Sequence, residues 1–138
     1  MPRWILLEHV DAPDDPLGRH FDLLIEDGDV CRTWRLAALP LIAGPALAAT
    51  AIAPHRRAWL DHEAGAVSGG RGFARRFAGG SCTMVDPPTP TGAHAAEVDP
   101  EWVVVRLEGE PRDGAVLHGV LVLERGATGW HARLVPAD

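Results

Sequence analysis

The stretch His20-Phe-Asp-Leu-Leu-Ile-Glu26, Asp27-Gly28-Asp29, Val30-Cys-Arg-Thr-Trp-Arg-Leu36 decides the fold. Two β-prone runs are separated by Asp-Gly, where glycine accepts the positive φ of a tight turn, and this predicts an antiparallel hairpin of residues 20–26 and 30–36. Working outward, the apolar run Trp4-Ile-Leu-Leu-Glu-His-Val10 ends at Asp11, Pro13, Asp14, Asp15 and Pro16, which reads as a strand followed by a loop, with His9 at the strand's end. Beyond the hairpin, Leu36 to Pro54 carries no charge but is broken by Pro40, Gly44, Pro45 and Pro54, so it is a loop-and-strand passage and not a membrane span. Ala48 to His62 carries a strand into Pro54-His55-Arg56-Arg57-Ala58-Trp59-Leu60-Asp61, and Gly65 to Gly72 predicts tight turns or close backbone approach to a ligand. A proline-rich surface loop spans 86–100, and three strand-like runs follow: Trp102 to Leu107, Ala115 to Glu124 and Gly129 to Val135. Many short strands without a long amphipathic helix point to a small barrel or sandwich.

The chain has 138 residues, the size of one domain (1–138); its 46% hydrophobic and 23% charged content suits a globular core and excludes global disorder. A net charge of −6 argues against a protein that coats nucleic acid by bulk electrostatics. All 13 basic residues are Arg, so any phosphate site must be built from guanidinium groups. Two cysteines, Cys31 and Cys82, cannot make a disulfide framework and read as buried, inert thiols; with no signal-type start, a reducing cytoplasm is the expected compartment.

On a strand, His20 and Asp22 project from the same face, where imidazole and carboxylate can converge on one cation, and His9 can supply a third ligand from the neighbouring strand. Mixed nitrogen and oxygen donors suit Mn²⁺, Zn²⁺ or another divalent ion. By itself His-x-Asp is more often a surface pair. Residues 50–80 hold Arg56, Arg57, Arg71, Arg75 and Arg76 against Asp61 and Glu63, a balance of +3 in a chain otherwise at −9. Arginine forks and glycine-exposed N–H groups suit phosphate oxygens, and the competing account is a solvated arginine face. His55 beside this patch can donate to a phosphate. His62, His94, His118 and His131 read as structural or surface residues, and Trp4, Trp34, Trp102 and Trp130 as core; Trp59 stands apart, four residues after His55.

In order, these pieces resemble the 3′-phosphoesterase domain of bacterial DNA ligase D, also found as small stand-alone proteins. That family carries a His, a short loop, His-Tyr-Asp-Leu-Arg-Leu-Glu, a hairpin and Ser-Trp; here stand His9, then His20-Phe-Asp-Leu-Leu-Ile-Glu26, Asp27-Gly28 and Thr33-Trp34. The family's Asp-His-Pro-Leu-Asp-Tyr-x-Asp-Phe-Glu-Gly looks like Pro54-His55-Arg-Arg-Ala-Trp59-Leu-Asp61-His-Glu63-Ala-Gly65, and Leu107-Glu-Gly-Glu110 through Leu123 looks like its closing segment. The resemblance covers most of the chain and implies a compact, mainly β barrel with short helices or turns. It also implies Mn²⁺-dependent removal of a terminal ribonucleoside and then the 3′-phosphate from primer–template DNA or RNA–DNA ends in DNA repair. On this basis His9, His20 and Asp22 would hold the metal, which would polarise the phosphoryl oxygens, and His55 would contact the phosphate. A ligase or polymerase of end joining is the implied protein partner.

The chain departs from the family in several places. Ten residues separate His9 from His20, about twice the usual number, which makes His9 the least secure of the three ligands. Leu24 stands where the family has a functional Arg, Leu47 falls near another, and Trp59 replaces a functional Tyr. Two alternatives follow: a DNA-end-binding module that has lost catalysis, and a cupin-like metal barrel in which His20, Asp22 and Glu26 mimic a first ligand motif without the expected second one.

Overall fold

The computed structural model describes residues 1–85, 101–113 and 117–137. The proline-rich stretch 86–100 with His94, and residues 114–116 where the last-but-one strand was expected to begin, lie outside the described residues. The Asp-Gly signal becomes the expected hairpin: β2 (Arg19–Asp27) turns through Gly28, φ 64°, into β3 (Val30–Leu36). On the other side β2 pairs with β1 (Arg3–Val10), His9 opposite His20 and Leu7 opposite Asp22.

The remaining strands are β4 (Leu47–Arg56), β5 (Ala64–Ala66), β6 (Phe73–Met84), β7 (Glu101–Gly109), β8 (Gly119–Gly126) and β9 (Gly129–Val135). Eight of them pair in the order β1-β2-β3-β4-β9-β8-β7-β6, every pairing antiparallel, and β6 returns to β1. The sheet is thus a closed barrel and not a sandwich, and closure removes the open edges on which other chains could pair. β5 pairs with Phe73, Ala74 and Arg75 at the start of β6. No helix among the described residues is long and apolar enough to cross a membrane.

Two readings of the sequence change. The segment 48–62 divides into β4 and a 3-10 turn over Arg57–Asp61, and residues 73–84, which carry no strand signal, form the longest strand of the barrel. Arg75, Arg76, Gly79 and Gly80 break the apolar alternation there. The strand forms because β1 supplies partners along its length, with a bulge between Leu6 and Leu7. A Cβ at Gly80 would meet the Glu108 carbonyl oxygen at 1.9 Å, so β6 and β7 reach pairing distance only because that position has no side chain.

Alternate residues point into the barrel. Trp4, Leu6, Phe21, Leu23, Ile25, Trp34 and Leu36 join buried residues of β4 and β6 to β9 in one core, where Trp34 meets Trp130 edge to face at 5.4 Å. Trp102, expected in the core, is only partly buried. The residues between point outward, yet Ile5, Leu7, Leu24, Cys31 and Leu60 form a second buried cluster with Trp59 packed against it. The 3-10 turn supplies Leu60 and Trp59 and so roofs the outer face of β1 to β3. Cys31 and Cys82 are buried free thiols, as expected; burial pushes both up, Cys82 to about 11.

Replacing Gly80 by Ala is expected to destabilise the barrel by roughly 1–3 kcal/mol or more through forced overlap. Gly126→Ala, where nothing lies within 4 Å of the new methyl, is expected to stay within about 0.5 kcal/mol of wild type. Urea unfolding of the two variants checks the pair.

Candidate metal centre

Because His9 and His20 are register partners and Asp22 follows His20 by two, strand geometry alone brings the three side chains to one outer face at the end of the roofed region. All three are buried, and one candidate ligand atom from each lies within 4.8 Å of the others. His9 Nδ1 is 3.3 Å from Asp22 Oδ2, His20 Nε2 is 3.3 Å from Asp22 Oδ1, and the imidazoles meet edge to face at 4.7 Å.

The outer partners select the tautomer of each neutral ring. His9 Nε2–H donates to the Arg71 carbonyl at 2.6 Å, and His20 Nδ1–H donates to the Asp15 carboxylate at 2.8 Å. Since both acceptors lack protons, His9 Nδ1 and His20 Nε2 are the nitrogens turned toward Asp22. A second oxygen partner that orients the ring in this way is the usual support of a metal-binding histidine. His20 Nε2 and Asp22 Oδ1 are both buried and have no hydrogen-bond partner among the described residues. These two atoms face each other at 3.3 Å, an ion pair when His20 is protonated, and together with His9 Nδ1 they make a donor set that fits a divalent cation, which would satisfy both atoms in place of the proton.

Electrostatics agree with an anionic carboxylate at Asp22. Burial opposes the charge on Asp22, but His20, His9 and Arg35 outweigh it and hold the group below the usual carboxylate range. Burial likewise opposes a charged His20, while Asp22 and Asp15 on either side raise its pKa above the ordinary histidine value. Asp15 is lowered by its bond to His20.

The triad borders a cleft of about 640 Å³ whose lining includes His9, Asp22, Arg35, His55, Arg56, Trp59 and Arg71. His55 Nδ1 faces Thr33 Oγ1 at 3.0 Å and the Ala53 carbonyl at 3.2 Å. A carbonyl can only accept, so Nδ1 carries the proton and Nε2 is left for a ligand. Trp59 stands beside His55, ring centres 5.9 Å apart, and leans on His62 at 4.7 Å.

Of the five arginines singled out in the sequence, Arg56 and Arg71 reach the cleft. The other three do not line it. Arg57 pairs with Glu26 at 2.7 Å, Arg75 with Glu8 at 2.8 Å on the opposite side of β1, and Arg76 with Asp113 at 2.7 Å. Leu24 is fully buried in the outer apolar cluster. Glu26, needed by the cupin-like reading, accepts from the Arg3 backbone N–H and is not among the converging donors.

The sequence reading missed Arg35 and Asp15. Asp15 belongs to the long loop after β1, and Arg35 is the β3 register partner of Asp22. The alternation of β3 about the Asp-Gly turn could have marked Arg35. In the glycine-rich segment Val67, Ser68 and Arg71 line the cleft, and at Gly72, φ 87°, a Cβ would overlap the Val10 carbonyl oxygen; this close approach of the two backbones brings the Arg71 carbonyl to His9.

Neither a protein-family model nor a curated protein matches the chain.

Mn²⁺ or Zn²⁺ at about 100 times its dissociation constant is expected to stabilise the wild type by about 2.7 kcal/mol, a rise in Tm on the order of 10 °C. The nearly isosteric Asp22→Asn variant is expected to lose most of that rise. Differential scanning fluorimetry with and without chelator reads it; equal metal-induced shifts in both proteins would contradict a site at the triad.

Proposed function

We propose that this protein is a metal-dependent phosphoesterase acting on nucleic-acid 3′ ends, with Mn²⁺ the expected ion and an end-joining ligase or polymerase the expected partner. The observation that carries the reading is the juxtaposition of the His9–His20–Asp22 donor set, of which His9 and Asp22 line the cleft, with His55, Arg35, Arg56 and Arg71 on the same cleft. The ordered sequence resemblance supplies the substrate class.

A divalent ion held by His9 Nδ1, His20 Nε2 and an Asp22 oxygen would supply Lewis acidity toward a phosphoryl oxygen. Arg35, Arg56 and Arg71 line the same cleft and offer guanidinium donors to the remaining phosphate charge. His55, held through Nδ1, presents Nε2 to the cleft; in its protonated form it can donate to a phosphoryl or leaving-group oxygen. Asp15 and the Arg71 carbonyl keep both ligand imidazoles oriented. Trp59 offers an aromatic surface at the cleft wall for a terminal base.

A second reading has its own observation. Leu24 is dry and apolar where the resemblance calls for a guanidinium, which favours a DNA-end-binding module that retains the fold and metal without turnover.

Labelled primer–templates ending in a ribonucleotide or a 3′-phosphate, with Mn²⁺ or chelator, separate the two. Wild-type product is expected only with metal. His20→Ala is expected to lower the rate by more than about 100-fold, and His55→Ala by about 10²- to 10⁴-fold. End binding without product from either substrate would overturn the enzyme reading in favour of the binding module.

A further inference from the structure

Position 24 lacks the cation that the resemblance expects, yet a guanidinium does stand beside Asp22. Arg35, on the adjacent strand β3, is the direct register partner of Asp22 and lines the cleft. Its Nε lies 3.9 Å from Asp22 Oδ1, beyond hydrogen-bond reach, and is buried with no acceptor among the described residues. Such a buried donor is normally satisfied, so this one is poised for an acceptor that arrives with a ligand.

The rest of the head is held loosely. Arg35 Nη1 donates to Asp14 Oδ2 at 3.3 Å, and the Asp14 side chain is 71% exposed on the loop between β1 and β2. Arg57, Arg75 and Arg76 form shorter pairs with Glu26, Glu8 and Asp113. Asp14 itself lines the cleft, so its carboxylate offers Arg35 the same kind of oxygen acceptor that a phosphoryl group would. An exposed ion pair of this length contributes little, whereas a phosphoryl group can engage a guanidinium through two parallel hydrogen bonds.

We propose that Arg35 is a phosphoryl-binding residue of this cleft, supplied from β3 in place of a cation at position 24, and that Asp14 occupies its guanidinium until a phosphoryl group displaces it. This assignment rests on the reading of the cleft as a phosphoester site. Asp22 and Asp15 oppose an anion there when no cation is bound, so the test uses the Mn²⁺-loaded full chain.

Calorimetric titration with inorganic phosphate, and with a short oligonucleotide ending in 3′-phosphate, tests the assignment. Arg35→Ala is expected to weaken both probes by roughly 10- to 100-fold, the range for hydrogen bonds to a charged group. Arg35→Lys is expected to recover part of the loss, since lysine restores charge without the fork. Asp14→Asn, a change at an exposed position, is expected to tighten binding by about two- to five-fold. Mn²⁺ affinity, read by paramagnetic resonance, is expected to change far less than phosphate affinity in all three, because none of them removes a donor of the triad.

The assignment is overturned if the wild type binds neither probe, if Arg35→Ala binds phosphate like wild type, if it loses Mn²⁺ along with phosphate, or if Asp14→Asn weakens binding. Should Arg35→Ala fail to fold, Arg35→Lys and Asp14→Asn carry the same test with opposite signs. Arg35-dependent phosphate binding without turnover of 3′ ends would overturn the phosphoesterase reading and leave Arg35 assigned. An oligonucleotide bound no better than inorganic phosphate would keep the subsite and assign it to small phosphate esters.

Discussion

The side-chain period of two along β1 and β2, locked by their antiparallel register, is the constraint on which the rest of the molecule depends. His9 opposite His20 and Leu7 opposite Asp22 put the donor set on the outer face, while Leu6, Phe21 and Leu23 fill the barrel. A slip of one residue would reverse every one of these side chains, driving imidazoles and a carboxylate into the apolar interior. The large core, with its interlocked tryptophans, therefore holds the register, and the register holds the site.

An outward-facing triad would ordinarily be solvated. Here it is buried because three connecting segments cover the outer face of β1 to β3. The 3-10 turn brings Leu60 and Trp59 over Ile5, Leu7 and Leu24. The glycine-rich turn folds its backbone against the end of β1 and lends His9 the Arg71 carbonyl. The long loop after β1 delivers Asp15 to His20 and Asp14 to Arg35. Burial makes the electrostatics strong: the lowered Asp22 and the raised His20 both come from charges that water screens poorly.

The distribution of arginine shows how a protein of net charge −6 can still line one cleft with three guanidinium groups, those of Arg35, Arg56 and Arg71. Arg57, Arg75 and Arg76 are near in sequence to the cleft residues but are spent on Glu26, Glu8 and Asp113. Arg35, distant from that arginine-rich run, lies in the cleft because β3 neighbours β2. The long loop that makes His9 look insecure as a ligand in the sequence instead provides the carboxylate that orients His20.

The sequence by itself determined the local features: the Asp-Gly hairpin, the strand alternation that unites His20 with Asp22, the buried thiols, and the mainly β character. These depend on neighbours within a few residues, where turn chemistry and a period of two act directly. Only the tertiary structure decided that the sheet closes through β6. That strand is broken in sequence by Arg75, Arg76, Gly79 and Gly80, and it exists because β1 pairs along it. Tertiary structure likewise selected which arginines reach the cleft and made Leu24 part of a dry outer cluster. A guanidinium's partner and a leucine's burial depend on residues brought together from distant strands, and no local pattern records which they are.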